Sequence, residues 1–494
     1  MKVKKMLAAV MSLTLTIPVL SGSIASVQAA ETSEYVMGDV NGDGEFNVAD
    51  LVVLKQWLFR GGKLENPDAA DFCENGVIDV FDYCSMRTAL SEKMGTDIYA
   101  SFFAKNLSKG IQSAEVVSRP AEEEFSLAQT EFALSLLQNE SKEDTNTLIS
   151  PYSVMQALAM TANGADNSTK AEMEKALGGL TIDRLNEYLC YQRLNQPDTE
   201  ECRLSTANSV WAKESDIEVD RDFLQKTANY YGSDFFAAPF DDSTLKEVNS
   251  WVNDKTDKMI PSVLDEINRE DIMYLINAVT FDAKWQEPFY EDYVNTDKFT
   301  NYCGEVQDVE MMRSEEGTYL EDENAVGFMK YYQGGRYAFA ALLPDEGISV
   351  NDYLLELTPE RLNSIIAERT YQPVEISLPK FSYDYNTELN GTLRNMGMVA
   401  PFDPYEADFN KMGRIINPCI ENIYIGSVIH KTHIEVAEEG TRAAAVTAVI
   451  MKPVSCLPVK PKEVNLDRPF VYMIVDTESD TPVFIGTLVT ASAQ

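Results

Sequence analysis

The sequence predicts an α+β protein preceded by a small all-α module. Three observations lead there. Apolar residues recur at helical spacing early in the main body, at Phe125, Ala128, Phe132, Leu136 and Leu137. Short apolar or alternating runs take over later, and helices first with strands after them mark α+β rather than a doubly wound sheet. Ahead of both, two related twelve-residue acidic segments begin 32 residues apart, at Asp39 and Asp71.

Residues 1–30 begin with Lys2, Lys4 and Lys5, run through an apolar stretch from Met6 to Leu20, and end in Val27-Gln28-Ala29-Ala30. That is the pattern of a secretory signal peptide. As a membrane anchor the stretch is interrupted by Pro18 and falls short of the ~20 residues a span needs. A secreted, extracellular protein with no membrane insertion is expected.

The acidic module covers residues 34–94. Its first loop, DVNGDGEFNVAD, places Asp39, Asn41, Asp43, Asn47 and Asp50 at positions 1, 3, 5, 9 and 12, with Gly44 at the sharp turn. Hard cations such as calcium need six or more converging oxygens, and short side chains at alternating positions supply them. The second loop, DFCENGVIDVFD, offers Asp71, Asn75, Asp79 and Asp82 with Gly76 at the turn. Cys73 stands at its position 3, where a soft thiol is a poor calcium ligand, so the second of the two Ca2+ sites is expected to be weaker. Helical spacing follows each loop, at Leu51, Val52, Leu54, Trp57 and Leu58 and at Tyr83, Met86 and Leu90. Two copies are too few for a solenoid and fit a paired module.

Residues 95–121 show no sustained period and end in Arg119-Pro120-Ala121, just before Glu122-Glu123-Glu124, which reads as a linker. The main body is then 122–494. A second helix starts after Ser150-Pro151, proline being well placed in a first turn. The runs 272–281, 337–343, 374–378 and 470–475 read as strands.

Composition narrows the function classes. A content of 45% hydrophobic and 24% charged residues is that of a globular chain, and a net charge of −38 disfavours nucleic acid and anionic lipid as partners, since both need clustered lysine and arginine. The seven cysteines are odd in number and scattered, which predicts mostly free thiols and leaves Cys73–Cys84 and Cys190–Cys202 open as bridges. No G-x-S-x-G, H-E-x-x-H or phosphate loop is present, and the only two histidines lie three residues apart. An enzyme is not expected, although paired carboxylates in so acidic a chain leave glycoside hydrolysis open.

Residues 438–449 (EEGTRAAAVTAV) combine a glycine pivot with small side chains. Glycine permits backbone angles closed to other residues. The period of two puts Thr441, Ala443, Ala445 and Thr447 on one face of a strand and Arg442 on the other. A face this small can slide into a packed sheet.

The loop–helix duplication resembles a dockerin module. That resemblance implies calcium-dependent binding to a cohesin domain of a scaffoldin, in a cellulosome-type complex that degrades plant polysaccharide. By position it assigns cohesin contacts to Val48, Ala49 and Lys55, and to Val80 and Phe81 in the second copy. The main body resembles a serpin at four separated motifs: LISPYSVMQALAM (148–160), YLINAVTFDAKW (274–285), VIHKTHIEVAEEGTRAAAVTAV (428–449) and RPFVYMIVDTESDTPVFIG (468–486). It implies three β-sheets, about nine helices and an exposed reactive-centre loop with a hinge at Gly440. It further implies a polar shutter of Ser150, Ser153, Asn277 and His430, and a breach at Trp285. The activity implied is covalent trapping of a serine protease. Family spacing from Gly440 places the reactive bond at Val454-Ser455, with Cys456 as an alternative, whereas counting back from Pro469 lands about four residues later, so the loop is long. Val454 suits a subtilisin-like or elastase-like target. A non-inhibitory member of the family, cut as a substrate, is the competing reading. His433 departs from the apolar residue usual at its position.

Overall fold

The structure is a computed structural model and describes residues 36–61, 63–72, 77–79, 82–83, 85–87, 89–90, 102–441 and 460–491. It divides into two units at residues 100/101. In the smaller, helix α1 (Val48–Arg60) follows the first acidic loop and is capped by Asn47, whose side chain accepts from the Ala49 amide while Asp50 bonds back to the Asn47 amide. This reciprocal cap satisfies amides that the first turn leaves unpaired. The described residues between 82 and 90 are helical as well. The core joins the two copies: Phe46 and Phe72, from position 8 of one loop and position 2 of the other, pack with ring centroids 5.6 Å apart. Leu54, Met86 and Leu90 close it from the helices.

The larger unit starts with a two-residue strand, β1 (Lys105–Asn106), and helix α2 (Glu123–Glu140). Strand β2 (Thr147–Ile149) and helices α3 (Pro151–Ala162), α4 (Asn167–Ala176) and α5 (Ile182–Leu194) follow, with Pro151 at the first turn of α3. Next come β3 (Cys202–Lys213), β4 (Ile217–Val219), α6 (Arg221–Tyr230), β5 (Asp234–Ala238), α7 (Asp242–Lys255) and β6 (Met273–Lys284). A run of strands, β7 (Val294–Thr300), β8 (Val306–Asp322), β9 (Ala325–Tyr331) and β10 (Tyr337–Pro344), leads to α8 (Val350–Glu356) and α9 (Pro359–Ala367). The chain continues through β11 (Thr370–Pro379), β12 (Phe381–Glu388), α10 (Asn390–Asn395), β13 (Gly413–Ile415), β14 (Ser427–Val436) and β15 (Gly440–Thr441). It ends with β16 (Lys462–Asn465), β17 (Phe470–Asp476) and β18 (Thr481–Leu488). Nine α-helices thus lie among the described residues of this unit.

These strands build three sheets. The seven-stranded one runs β1-β5-β3-β6-β15-β14-β12. The nine-stranded one runs β16-β11-β8-β9-β10-β17-β18-β2, with β7 also on β8, and β13 pairs β4. One core, spanning Phe125, Trp285, Phe339 and Tyr472, fills the space between the large sheets and helix α3, which is buried along its whole length. No helix among the described residues is long and apolar enough to cross a membrane.

The segment read as a linker needs correction over its described part. Residues 102–121 belong to the larger unit: β1 adds an edge to the seven-stranded sheet, and the Phe103 and Ala104 amides donate to the carboxylate of Glu247 at 2.6 and 3.0 Å. Arg119 pairs with Glu187 at 3.0 Å. Anchorage through amide–carboxylate bonds and one short pairing leaves no apolar period, which is why the sequence looked structureless here. Glu247 is 7% exposed, so Glu247→Ala strands two amides. Unfolding by denaturant is expected to show a loss of about 1–3 kcal/mol.

Candidate functional site

The centre of the seven-stranded sheet is a strand pair that separates part-way along. β6 and β14 run parallel and pair over six residues, from Tyr274/Ser427 to Val279/Thr432. Further along, only β15 lies between them, antiparallel to both, with Gly440 opposite Lys284 and Thr441 opposite Ala283 on one side and Val436 on the other. The intervening stretch, Thr280 to Asp282 and His433 to Glu435, has no mutual pairing.

Beneath the paired stretch the structure brings Ser150, Ser153, Asn277 and His430 together, all fully buried. The Ser150 amide donates to His430 Nε2 at 3.1 Å, so that nitrogen carries no proton and Nδ1–H donates to Asn277 Oδ1 at 2.7 Å. Asn277 Nδ2 in turn reaches Ser153 Oγ at 2.5 Å and Asn208 Oδ1 at 2.6 Å. Ser150 caps α3, and its hydroxyl donates to the Val483 carbonyl at 2.8 Å. Burial holds the His430 imidazole neutral, with its pKa lowered to about 3. Asn208 was missed in the sequence because only the cross-strand register, Asn208 opposite Asn277, reveals it.

At the open end Trp285 pins the turn between β14 and β15. Its backbone amide donates to the Glu439 carbonyl at 2.8 Å and its indole Nε1 to the Ala437 carbonyl at 2.9 Å. The ring stacks on Tyr332 at 4.3 Å, and the Tyr332 hydroxyl meets Thr441 Oγ1 at 2.6 Å. Thr441 therefore faces inward, as the period of two requires. Gly440 also needs its lack of a side chain for a steric reason that the sequence does not show. Its backbone is not left-handed; a Cβ there would sit 2.1 Å from the Ala283 carbonyl oxygen. His433 points to the outer face and contacts Asp384 at 2.8 Å.

In the smaller unit, the first loop folds around Asp39, whose carboxylate accepts from the Gly42, Asp43 and Gly44 amides at 2.8–3.1 Å. Both loops use one bond at the same place: the position-9 amide donates to the position-12 carboxylate, Asn47 to Asp50 at 2.9 Å and Asp79 to Asp82 at 2.8 Å. Asp50 and Asp82 are fully buried. The donor set of the first loop is all hard oxygen, which fits calcium, although no three carboxylates among the described residues are already gathered as a metal cluster. Val48 is 52% exposed, and Ala49 and Lys55 are exposed beside it. Asn75, Val80 and Phe81 lie outside the described residues, as do Cys73, Cys84, Ala443, Ala445, Thr447, Val454, Ser455 and Cys456. Cys190 and Cys202 are both free and buried, so no bridge joins them.

A sheet parted at one end, with Gly440 and Thr441 seated in the gap, points to a family of protease inhibitors. The chain belongs to the serpin family: the model for serpin (serine protease inhibitor) matches residues 127–491. A dockerin type I domain matches residues 37–91. The chain is 30% identical over 392 residues to the leukocyte elastase inhibitor of Sus scrofa, covering 74% of this chain and 99% of that one. A serpin-like protein of Methanosarcina acetivorans is 29% identical over 374 residues, 71% of this chain and 83% of its own length. Among solved structures, the thermophilic serpin tengpin in its native state superposes with a TM-score of 0.75 at 45% identity, over 78% of this chain and 99% of that one. Tengpin in its latent state gives 0.68 at 43% identity, over 76% of this chain and 100% of that one.

The neutral His430 makes a pH prediction. Its folded pKa lies below the unfolded value of ~6.5, so the unfolded chain binds the extra proton and stability falls as pH drops from about 6.5 toward 3. Denaturant titrations at pH 6.5, 5.5 and 4.5 should show wild type losing up to about 1.4 kcal/mol per pH unit more than His430→Gln. Equal slopes would mean that the imidazole is charged in the folded state.

Proposed function

We propose that the protein is a secreted suicide inhibitor of serine proteases, carried on a cohesin-bearing complex by its dockerin. The observation that carries the inhibitory reading is the seating of Gly440 and Thr441 as an antiparallel strand in the gap between β6 and β14. In the same register, an inserted strand would place Ala443 beside Phe281 and Ile434, Ala445 beside Val279 and Thr432, and Thr447 beside Asn277 and His430. All these neighbours are buried, which is why the inserted face must be small.

The chemistry is an interrupted hydrolysis. The protease serine oxygen attacks the carbonyl of Val454, the peptide bond to Ser455 breaks with its nitrogen taking the proton, and an ester joins inhibitor to protease. Before water can cleave the ester, the severed segment enters the sheet and drags the protease with it. Insertion must open six parallel pairs and the Asn277–His430 bond. About twelve new ladder bonds at ~0.5–1.5 kcal/mol each release on the order of 10 kcal/mol, the scale of a whole domain's stability. Val454 after Pro453 favours a subtilisin-like or elastase-like pocket, and the likeness to leukocyte elastase inhibitors supports the second. Lys452 and Leu457 are each followed by proline, which disfavours cleavage after them.

Mixing the protein with subtilisin, elastase and trypsin should give a band of summed mass on a denaturing gel with the first two. A cleaved product beside fully active protease would make the protein a substrate. Ala445→Arg is expected to shift the outcome toward that substrate behaviour. Cutting the wild-type loop should raise the melting temperature by roughly 10 °C or more; an unchanged midpoint would remove the basis of the mechanism.

For the dockerin, Asp39, Asn41, Asp43, Asn47 and Asp50 would hold one Ca2+ and Asp71, Asn75, Asp79 and Asp82 a second. The ions would fix the loops and thereby the exposed Val48, Ala49 and Lys55 for cohesin. Chelator should abolish capture by cohesin, and Val48→Asp should weaken it by about tenfold or more, the effect of about 1.4 kcal/mol. Capture that survives calcium removal would contradict this reading.

A further inference from the structure

A cavity of about 1010 Å³ opens between the Trp285 end of β6 and strands β8, β11 and β16. One wall is aromatic: Trp285 forms part of it, with Tyr290 and Tyr293, which are 52% and 60% exposed and meet edge to face at 6.4 Å. The rest is strongly acidic, with seven carboxylates against three cations. Two of those cations are already engaged. Lys330 is buried against Glu316 at 2.6 Å and the Glu287 carbonyl at 2.7 Å, and Arg313 pairs with Asp297. Lys284 remains.

The acidic side has a regular geometry. Glu315 on β8 lies directly opposite Glu375 on β11, which lies directly opposite Glu463 on β16. Residues directly opposite share a face, so three carboxylates line up across three strands at the ~4.8 Å strand spacing. All three are exposed, and none forms an ion pair with a described residue. The next row on that face is Arg313, Ser377 and Asn465, and Ser377 donates to Asn465 at 2.8 Å. Like charges directly opposite destabilise a sheet. No ion pair among the described residues relieves them, and the cavity leaves room for a ligand that would.

We infer that this cavity binds a linear organic polycation, a polyamine with amines separated by three or four methylenes. Such amines repeat at about 5 Å across three methylenes and about 6 Å across four, by ordinary bond lengths, close to the spacing of the carboxylate row. The methylenes would lie on the exposed rings of Tyr290 and Tyr293, whose faces also attract cations. The volume is at the upper end of the usual range for small-molecule sites, ~300–1,000 Å³. The cavity also touches both ends of the loop region: Glu439 precedes Gly440, and Glu463 and Asn465 belong to β16. Binding itself does not depend on the inhibitory reading.

Calorimetric titration of the full chain with spermine tests the site, in saturating calcium and 150 mM salt so that the dockerin loops and diffuse counter-ions contribute little. One molecule is expected to bind, at least fivefold more weakly to Glu375→Gln/Glu463→Gln and also more weakly to Tyr293→Ala. Glu321→Gln, outside the cavity, should bind as wild type, and butylamine, with a single amine, should bind at least tenfold more weakly than spermine. Circular dichroism of each variant separates a lost site from a lost fold. No binding, or binding at many sites that ignores the Glu375 and Glu463 changes, would overturn the proposal and reduce the effect to general attraction by an acidic surface.

Discussion

One hydrogen bond carries an unusual share of this structure, the 2.7 Å link from His430 to Asn277. It joins the two central strands from below while the backbone pairing of β6 and β14 joins them in the plane of the sheet. Because His430 also accepts from the Ser150 amide and Asn277 also donates to Ser153, the same bond ties both strands to the first turn of α3. Each of these groups is buried, and a buried polar group left without a partner costs about 1–3 kcal/mol. The closed sheet is therefore held by a latch whose members are satisfied only together.

The other end of the sheet is built in the opposite sense. There the strands are held apart, by a turn whose carbonyls are fixed to Trp285 and by two residues of β15 in the gap. Tyr332 supports both devices, stacking on the tryptophan and bonding Thr441. Lys330 sits behind them, its ammonium 4.3 Å from the Phe289 ring centre and 5.6 Å from that of Trp285. A strand pair latched at one end and wedged at the other has a direction in which it can unzip. Any separation would begin beside Gly440 and meet resistance at Val279/Thr432, where the parallel pairing starts.

Much of this was legible in the sequence because it rests on local signals. Pro151 after Ser150 marks the start of α3, and the alternation of Thr441 with its neighbours marks an inward face. The acidic loops announce themselves by side-chain type at fixed positions. Other features depend on register and were not legible. Asn208 joins the latch only because β3 pairs β6 in one alignment, and Tyr332 reaches Thr441 from the residue just past β9 of the other sheet. At Gly440 the register adds a requirement that the sequence does not show, since the carbonyl of Ala283 leaves no room for a Cβ. Residues 102–121 were read as a linker since amides held by Glu247 have no sequence pattern at all.

The row Glu315–Glu375–Glu463 shows why such a register matters beyond the fold. In sequence these are three unremarkable glutamates in a chain of net charge −38. Each strand could place its glutamate on the other face by slipping one residue, but that slip would expose Val374 and Val464, which are 0% and 1% exposed. Burial of the apolar neighbours therefore fixes the carboxylates in line, and their repulsion, at ~0.2–1 kcal/mol per pair, is too small to break the register. The core dictates the row, and the cavity above it gives a counter-ion somewhere to sit.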